Sequence, residues 1–123
     1  MSTETEINQN SGRLATDLAK EAASEIQAEN IHVIDVREIS SFTDYFIVLS
    51  AQSTRHIKAI SEIIQSTLKA NGFNLHHKEG DHKSKWLLLD YGNLIVHLFD
   101  TDAREFYDIE NAWENSKTIE IIQ

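Results

Sequence analysis

A chain of 123 residues with a formal net charge of −9 is sized for one domain, and burying about two-thirds of its unfolded surface lets it fold without covalent staples. There is no Cys, which excludes a disulfide scaffold. With no signal peptide and no apolar run of about 20 residues, the chain is expected to be a soluble cytoplasmic protein with no membrane partner.

The charge is spread unevenly: residues 1–30 hold six acids and two bases, residues 31–86 six and seven, and residues 87–123 eight and two. Affinity for nucleic acid comes largely from Lys and Arg neutralising phosphates. The longest basic cluster, Lys78, Lys83 and Lys85, is diluted by Glu79 and Asp81. Extensive direct binding to RNA or DNA is therefore not expected. An acidic chain suits a basic protein partner, whose approach it speeds and orients.

In chain order, residues 1–12 are polar apart from Ile7, too poor in apolar surface to offset the entropy of ordering them, and are expected to be a disordered tail. From Arg13, Leu14, Leu18, Ala22 and Ile26 recur every fourth residue with Ala15, Ala19 and Ala23 beside them, which predicts an amphipathic helix over 13–29. The β-branched run Ile31, Val33, Ile34, Val36 reads as a strand, and the almost wholly apolar Tyr45 to Leu49 as a second one covered on both faces. Ser53 stands at an N-cap ahead of Ile57, Ile60, Ile63, Ile64 and Leu68, and Asn71-Gly72 closes that helix. Asn74 to Glu79 is a third strand, so Tyr45 to Glu79 has the strand, helix, strand order of a right-handed crossover. Trp86 to Phe99 reads as a hairpin with Asp90-Tyr91-Gly92-Asn93 at its tip, where Gly supplies the positive φ. A helical segment from about Ala103 to Asn115, broken near Tyr107, and a strand-like end at Thr118 to Ile122 complete the chain. The expectation is one α/β domain over 13–115, with a mixed sheet of about five strands flanked by helices and a C-terminal extension at 116–123.

Chemistry has few candidates. Asp44, Asp90 and Asp100 lie near strand ends, where α/β folds place catalytic carboxylates. A two-metal site needs paired acids aimed at one point; Asp100-Thr101-Asp102 has such a spacing but falls in a polar turn where helix capping explains it. His76, His77 and His82 surround Glu79 and Asp81, but neighbours on a strand point to opposite faces, so no three-ligand geometry forms. His97 shares a strand face with Ile95 and Phe99, which suits packing. Glycines at 12, 72, 80 and 92 are too scattered for a phosphate loop, and no Ser or Thr sits in a nucleophile elbow. Neither an enzyme nor a metal or cofactor site is expected.

Trp86 differs. It shares a strand face with Leu88 and Asp90, while Leu87, Leu89 and Tyr91 take the other. Two helices can cover one side of the sheet; the opposite side would rest only on the C-terminal segment, leaving an apolar, aromatic face for a partner. Alternation alone leaves open which face that is.

The ordered set Asp35-Val36-Arg37, Ser41-Phe42-Thr43-Asp44-Tyr45-Phe46, Ser53-Thr54-Arg55-His56, Glu79-Gly80 with Trp86, Leu88-Leu89-Asp90-Tyr91-Gly92, Val96-His97 and Arg104 to Glu110 with Trp113 closely resembles the ribosomal silencing factor (Iojap-like) family, from about Leu14 to Trp113. Ile109 and Ala112 stand where that family usually has Leu. The resemblance implies a fold related to nucleotidyltransferases without their active site. It also implies a partner, the large ribosomal subunit through its basic fourteenth protein. Occupying that face would block small-subunit joining and lower translation when nutrients are short, and a part in large-subunit assembly is implied as well.

The candidate partner-binding residues are Trp86, Leu88 and Asp90 on one hairpin face, with Arg104, Tyr107 and Glu110 at its edge and Asp44 and Tyr45 as a second tier. The acidic C-terminal third would complement the basic target. The competing reading is a divergent nucleotidyltransferase acting on a nucleotide or RNA end, with Ser50 to Ser53 cradling a phosphate through free backbone N–H groups at a helix start. A homodimer of the free protein is compatible with silencing.

Overall fold

The structure, a computed structural model, describes residues 4–81, 83, 85–107 and 117–122. Among the described residues nine elements follow in order: α1 (Glu4–Glu25), β1 (Glu29–Asp35), β2 (Tyr45–Ala51), α2 (Thr54–Ala70), β3 (His77–Asp81), β4 (Trp86–Asp90), β5 (Leu94–Asp100), α3 (Thr101–Tyr107) and β6 (Lys117–Ile122). The strands form one mixed sheet ordered β3-β4-β5-β2-β1-β6. Among the described residues no helix is long and apolar enough to cross a membrane.

The centre of the sheet goes to the most apolar strands. β2 is buried at every position, β5 at all but Asp100, and the two pair in parallel from Tyr45 opposite Leu94 to Ala51 opposite Asp100. A strand wet on neither face needs this composition. β3, His-Lys-Glu-Gly-Asp, is exposed throughout and takes the edge, where charged side chains discourage pairing with foreign strands.

The crossover expected from β2 through α2 to the next strand is present, with β3 parallel to β2 in the same sheet, but β4 and β5 lie between them, and β5 and β1 take the two places beside β2. The sheet also has six strands rather than about five, because the expected strand-like end pairs antiparallel with β1 as β6. The backbone of α1 is helical from Glu4, so the helix begins ahead of the start expected at Arg13. Once Ala15, Ala19, Ala22 and Ala23 are buried against the sheet, the costly first turn is already formed and adding polar turns costs little. The last part of the expected 103–115 helix lies outside the described residues beyond Tyr107.

Both long helices end in the same device. Ala28 N–H donates to Ala23 O at 3.1 Å and Gln27 N–H to Ser24 O at 3.0 Å, with Gln27 at φ 66°. At α2, Phe73 N–H donates to Leu68 O at 2.9 Å and Gly72 N–H to Lys69 O at 3.1 Å, with Gly72 at φ 86°. These are Schellman closures, with the left-handed residue filled by Gly as expected in α2 but by Gln in α1.

α1 and α2 pack on one sheet face and bury Ile31, Val33, Ile47, Leu49, Leu87, Leu89, Val96 and Leu98 against Ile57, Ile60, Ile64 and Leu68. The other face is a smaller cluster, Ile34, Val36, Phe46, Val48, Ile95 and Phe99, with Trp86, Leu88 and Ala103 partly buried against it.

Candidate interaction face and its edges

The open question of the hairpin is resolved by burial: Leu87 and Leu89 enter the core under the helices, so Trp86, Leu88 and Asp90 project from the second face. Strand register sets their neighbours. One row across the sheet runs Glu79, Leu88, His97, Val48, His32 and Ile121, and a second places Asp81, Trp86, Phe99 and Ser50 side by side. Directly opposed side chains of a pleated sheet lie on one face, so an acidic margin from β3 flanks the Trp86 and Leu88 pair. The ring of His97 stands edge-on to Phe46 at 5.2 Å and parallel to Phe99 at 6.1 Å, which makes it a buried packing group.

Gly80 explains the spacing of the Glu79-Gly80 and Trp86 motif. It holds φ +75°, and a Cβ built there would lie 2.5 Å from Trp86 O and 3.0 Å from its Cε3. The strand beside the indole must be bare for it to sit where it does. At the hairpin tip Asp90 Oδ1 accepts from Gly92 N–H at 2.8 Å, so one oxygen of that candidate carboxylate is committed to shaping the turn.

The remaining candidates separate. Arg104 is buried, not an edge residue: its Nη1 donates to the carbonyl of Asn30 and to Ser50 Oγ, tying α3 to the sheet. The reason is local, since α3 starts immediately after β5 with Asp100 Oδ1 accepting from Ala103 N–H, which aims the next residue back over the strand. Tyr45 is buried on the helix-covered face with the guanidinium carbons of Arg37 and Arg13 at 5.4 and 5.9 Å from its ring centre, so it does not share a face with Trp86. Asp44 lies at the far end of the sheet from Trp86, where its N–H and that of Tyr45 share the carbonyl of Asn93. Burial raises the Asp44 carboxyl above its ordinary value, opposed by nearby Arg37. Tyr107 is the last residue of α3, and Glu110 lies outside the described residues.

Two exposed apolar residues not singled out from sequence lie in one loop, and Phe42 adjoins the face. Phe42 is 61% exposed and Ile39 39% exposed in the loop between β1 and β2, with the Phe42 ring 6.5 Å from that of Phe46. The available signal was two large apolar residues in an otherwise polar loop.

In the segment read as a phosphate cradle, the backbone N–H of Gln52 already donates to His56 Nδ1, and the two serine hydroxyls are engaged as well. Ser53 Oγ accepts from His56 N–H at 3.0 Å as the α2 N-cap, and Ser50 Oγ accepts from Arg104. His56 in turn locks α1 to α2: Nδ1 accepts from Gln52 N–H at 3.0 Å, so the protonated Nε2 donates to Ile26 O at 2.8 Å. Among the described residues no three of His, Cys, Asp and Glu converge as a metal-binding group.

The sequence model of the family described as ribosomal silencing factor during starvation matches residues 8–123. The ribosomal silencing factor RsfS of Bacillus subtilis is 32% identical over 96 residues, which is 78% of this chain and 81% of that protein. A mouse protein named for mitochondrial assembly of the ribosomal large subunit is 34% identical over 89 residues, 70% of this chain but 39% of that longer protein. A crystal structure from Chromobacterium violaceum superposes with a TM-score of 0.79 at 30% identity, covering 90% of this chain and 92% of that one. With the fold, the ordered motifs and the family match in agreement, the chain belongs to the ribosomal silencing factor family.

Proposed function

We propose that this chain docks its second sheet face on a basic protein of the large ribosomal subunit, the fourteenth by the family resemblance, and so blocks joining of the small subunit and lowers translation when nutrients are short. The observation that carries this reading is the pair Trp86 and Leu88, held half-buried at the margin of an apolar sheet face with Glu79 and Asp81 opposite them. Apolar and aromatic side chains supply contact area, and the acidic margin complements a basic target and orients its approach. Phe42 extends the surface past Phe46. The protein acts by occupancy, without turnover. Its relative named for large-subunit assembly supports a further part in the maturation of that particle.

The test is sedimentation of the protein with purified large subunits, for the native chain and for Trp86→Ala and Leu88→Arg. Each variant should keep its circular dichroism spectrum and lose on the order of 2 kcal/mol of binding, roughly thirtyfold. Folded variants that pellet like the native chain would move the contact elsewhere. Nucleotide transfer by the pure protein that depended on a divalent metal would replace binding with catalysis.

A further inference from the structure

The cations of this acidic chain are divided by use. Arg13 and Lys20 face Asp17, Lys20 also bonds Glu120, Arg37 clasps Asp35, Lys85 lies 4.0 Å from Asp100, and Arg104 is buried in the tie of α3. Among the described residues, Arg55, Lys58, Lys69, Lys78 and Lys83 make no ion pair, and all five are exposed. They are not scattered. Arg55, Lys58 and Lys69 fall on one flank of α2, at i, i+3 and i+14, turned from the buried stripe of Ile57, Ile60, Ile64 and Leu68.

The Lys58 and Lys69 part of that flank forms one wall of a groove whose other wall is β3 beside Lys58 and the segment Phe73 to Leu75 with Tyr91 beside Lys69. Two open cavities of about 240 Å³ each meet at Gln65: one has Lys58 and Glu62 facing Lys78 over Leu87, the other has Lys69 beside Phe73, Leu75 and Tyr91. Lysines thus line both sides of the first cavity and one side of the second, over an apolar floor, in the one stretch of sequence where bases outnumber acids. Glu62 is the acid on its helix wall, and Asp81, at the end of the edge strand, borders the groove as well as the Trp86 face.

We propose that this groove is a second, minor docking surface that takes the phosphate backbone of the large subunit's RNA, through Lys58, Lys69 and Lys78. Unpaired, flexible ammonium groups on both walls suit a chain of phosphates, whose condensed counterions they displace. The groove and the Trp86 face share the β3–β4 edge, since Leu87 floors one while Trp86 and Leu88 stand on the other. A factor seated by that face on a protein embedded in RNA would therefore bring the groove to the neighbouring phosphates. This rests on the docking reading above, and it adds few phosphate contacts, so the chain remains a poor binder of free RNA.

The experiment compares the native chain with a Lys58→Gln/Lys69→Gln/Lys78→Gln variant, measuring affinity for purified large subunits and for the isolated ribosomal protein from roughly 50 to 200 mM salt. Losing about three phosphate contacts should flatten the log–log salt slope at the subunit by about 2 and weaken binding there about tenfold at moderate salt. Binding to the isolated basic protein should stay equal or tighten, because three positive charges have been removed. Glu62→Gln should act oppositely and tighten subunit binding. An unchanged slope and affinity at the subunit would overturn the proposal. So would parallel loss on the isolated protein, which would make the groove a site for an acidic peptide. If the native chain ignores the isolated protein yet binds subunits in a lysine-dependent way, the docking reading fails and the groove stands.

Discussion

Arg104 Nη1 donates to Ser50 Oγ at 3.0 Å across 54 positions of sequence, and the same nitrogen reaches the carbonyl of Asn30. One buried guanidinium therefore fixes the helix that partly covers the second sheet face. Arg104→Ala leaves the Asn30 carbonyl and the Ser50 hydroxyl without their donor, and should cost about 2 kcal/mol or more of stability in urea titration. Arg104→Lys, which keeps the charge but loses the planar fork, should recover only part of it. An Arg104→Ala protein of native stability but impaired docking would return Arg104 to the interface.

Gly80→Ala should damage stability and docking together. A side chain there is strained at φ +75° and strikes the backbone and ring of Trp86, a combination expected to cost about 1–3 kcal/mol. Displacing the indole should also shift Trp86 fluorescence, best seen in a Trp113→Phe background, and weaken sedimentation with large subunits. Gly72→Ala is the comparison: it has a similar φ of +86° with open space around it, so it should lose stability without loss of binding.

Gln27→Gly should stabilise the protein by about 0.5–1 kcal/mol, because Gln27 holds the left-handed position of the α1 closure at φ 66°, where Gly has no Cβ penalty. Thermal unfolding measures it. A Gln27→Gly variant no more stable than the native protein would mean that Gln27 contributes contacts worth as much as the strain.

Asp44 makes stability depend on pH. Burial raises its folded carboxyl pKa above the unfolded value, so the native state binds the proton more tightly, and stability falls as pH rises from the unfolded value through the folded one. Asp44→Asn should therefore be more stable than the native chain at neutral pH, with the advantage shrinking towards zero below the ordinary carboxylate pKa of about 3.9. Denaturation at several pH values gives the answer. An equal difference at every pH would sink the electrostatic account.

What sequence made legible here was local. The α2 cap at Ser53, the Asn71-Gly72 closure and the turn held by Asp90 and Gly92 are decided by residues a few positions apart, and each stands where its chemistry points. Alternation through Trp86 to Tyr91 separated the two faces correctly. It could not say which one the helices cover, because Leu87 and Leu89 are no more apolar than Leu88, and the choice depends on α1 and α2, which arrive from the other end of the chain. Strand order was illegible for a similar reason: the partner of β2 is settled by comparing β3 with β5, and only their joint presence in one sheet reveals that the apolar strand displaces the polar one. Arg104 looks like a surface residue because nothing near it in sequence announces Asn30 and Ser50.

The parallel seam between β2 and β5 has a kinetic consequence. Tyr45 meets Leu94, so the middle of the sheet joins segments far apart in the chain, whereas β1 with β2 and β4 with β5 are antiparallel neighbours in sequence, closed by much shorter connections. Loop closure must precede any reward from such a pairing, which places the slow step of folding at this seam. Trimming Ile47 to Val should slow refolding in a chevron measurement, while Ile121→Ala at the rim of β6 should act mainly on the rate of unfolding.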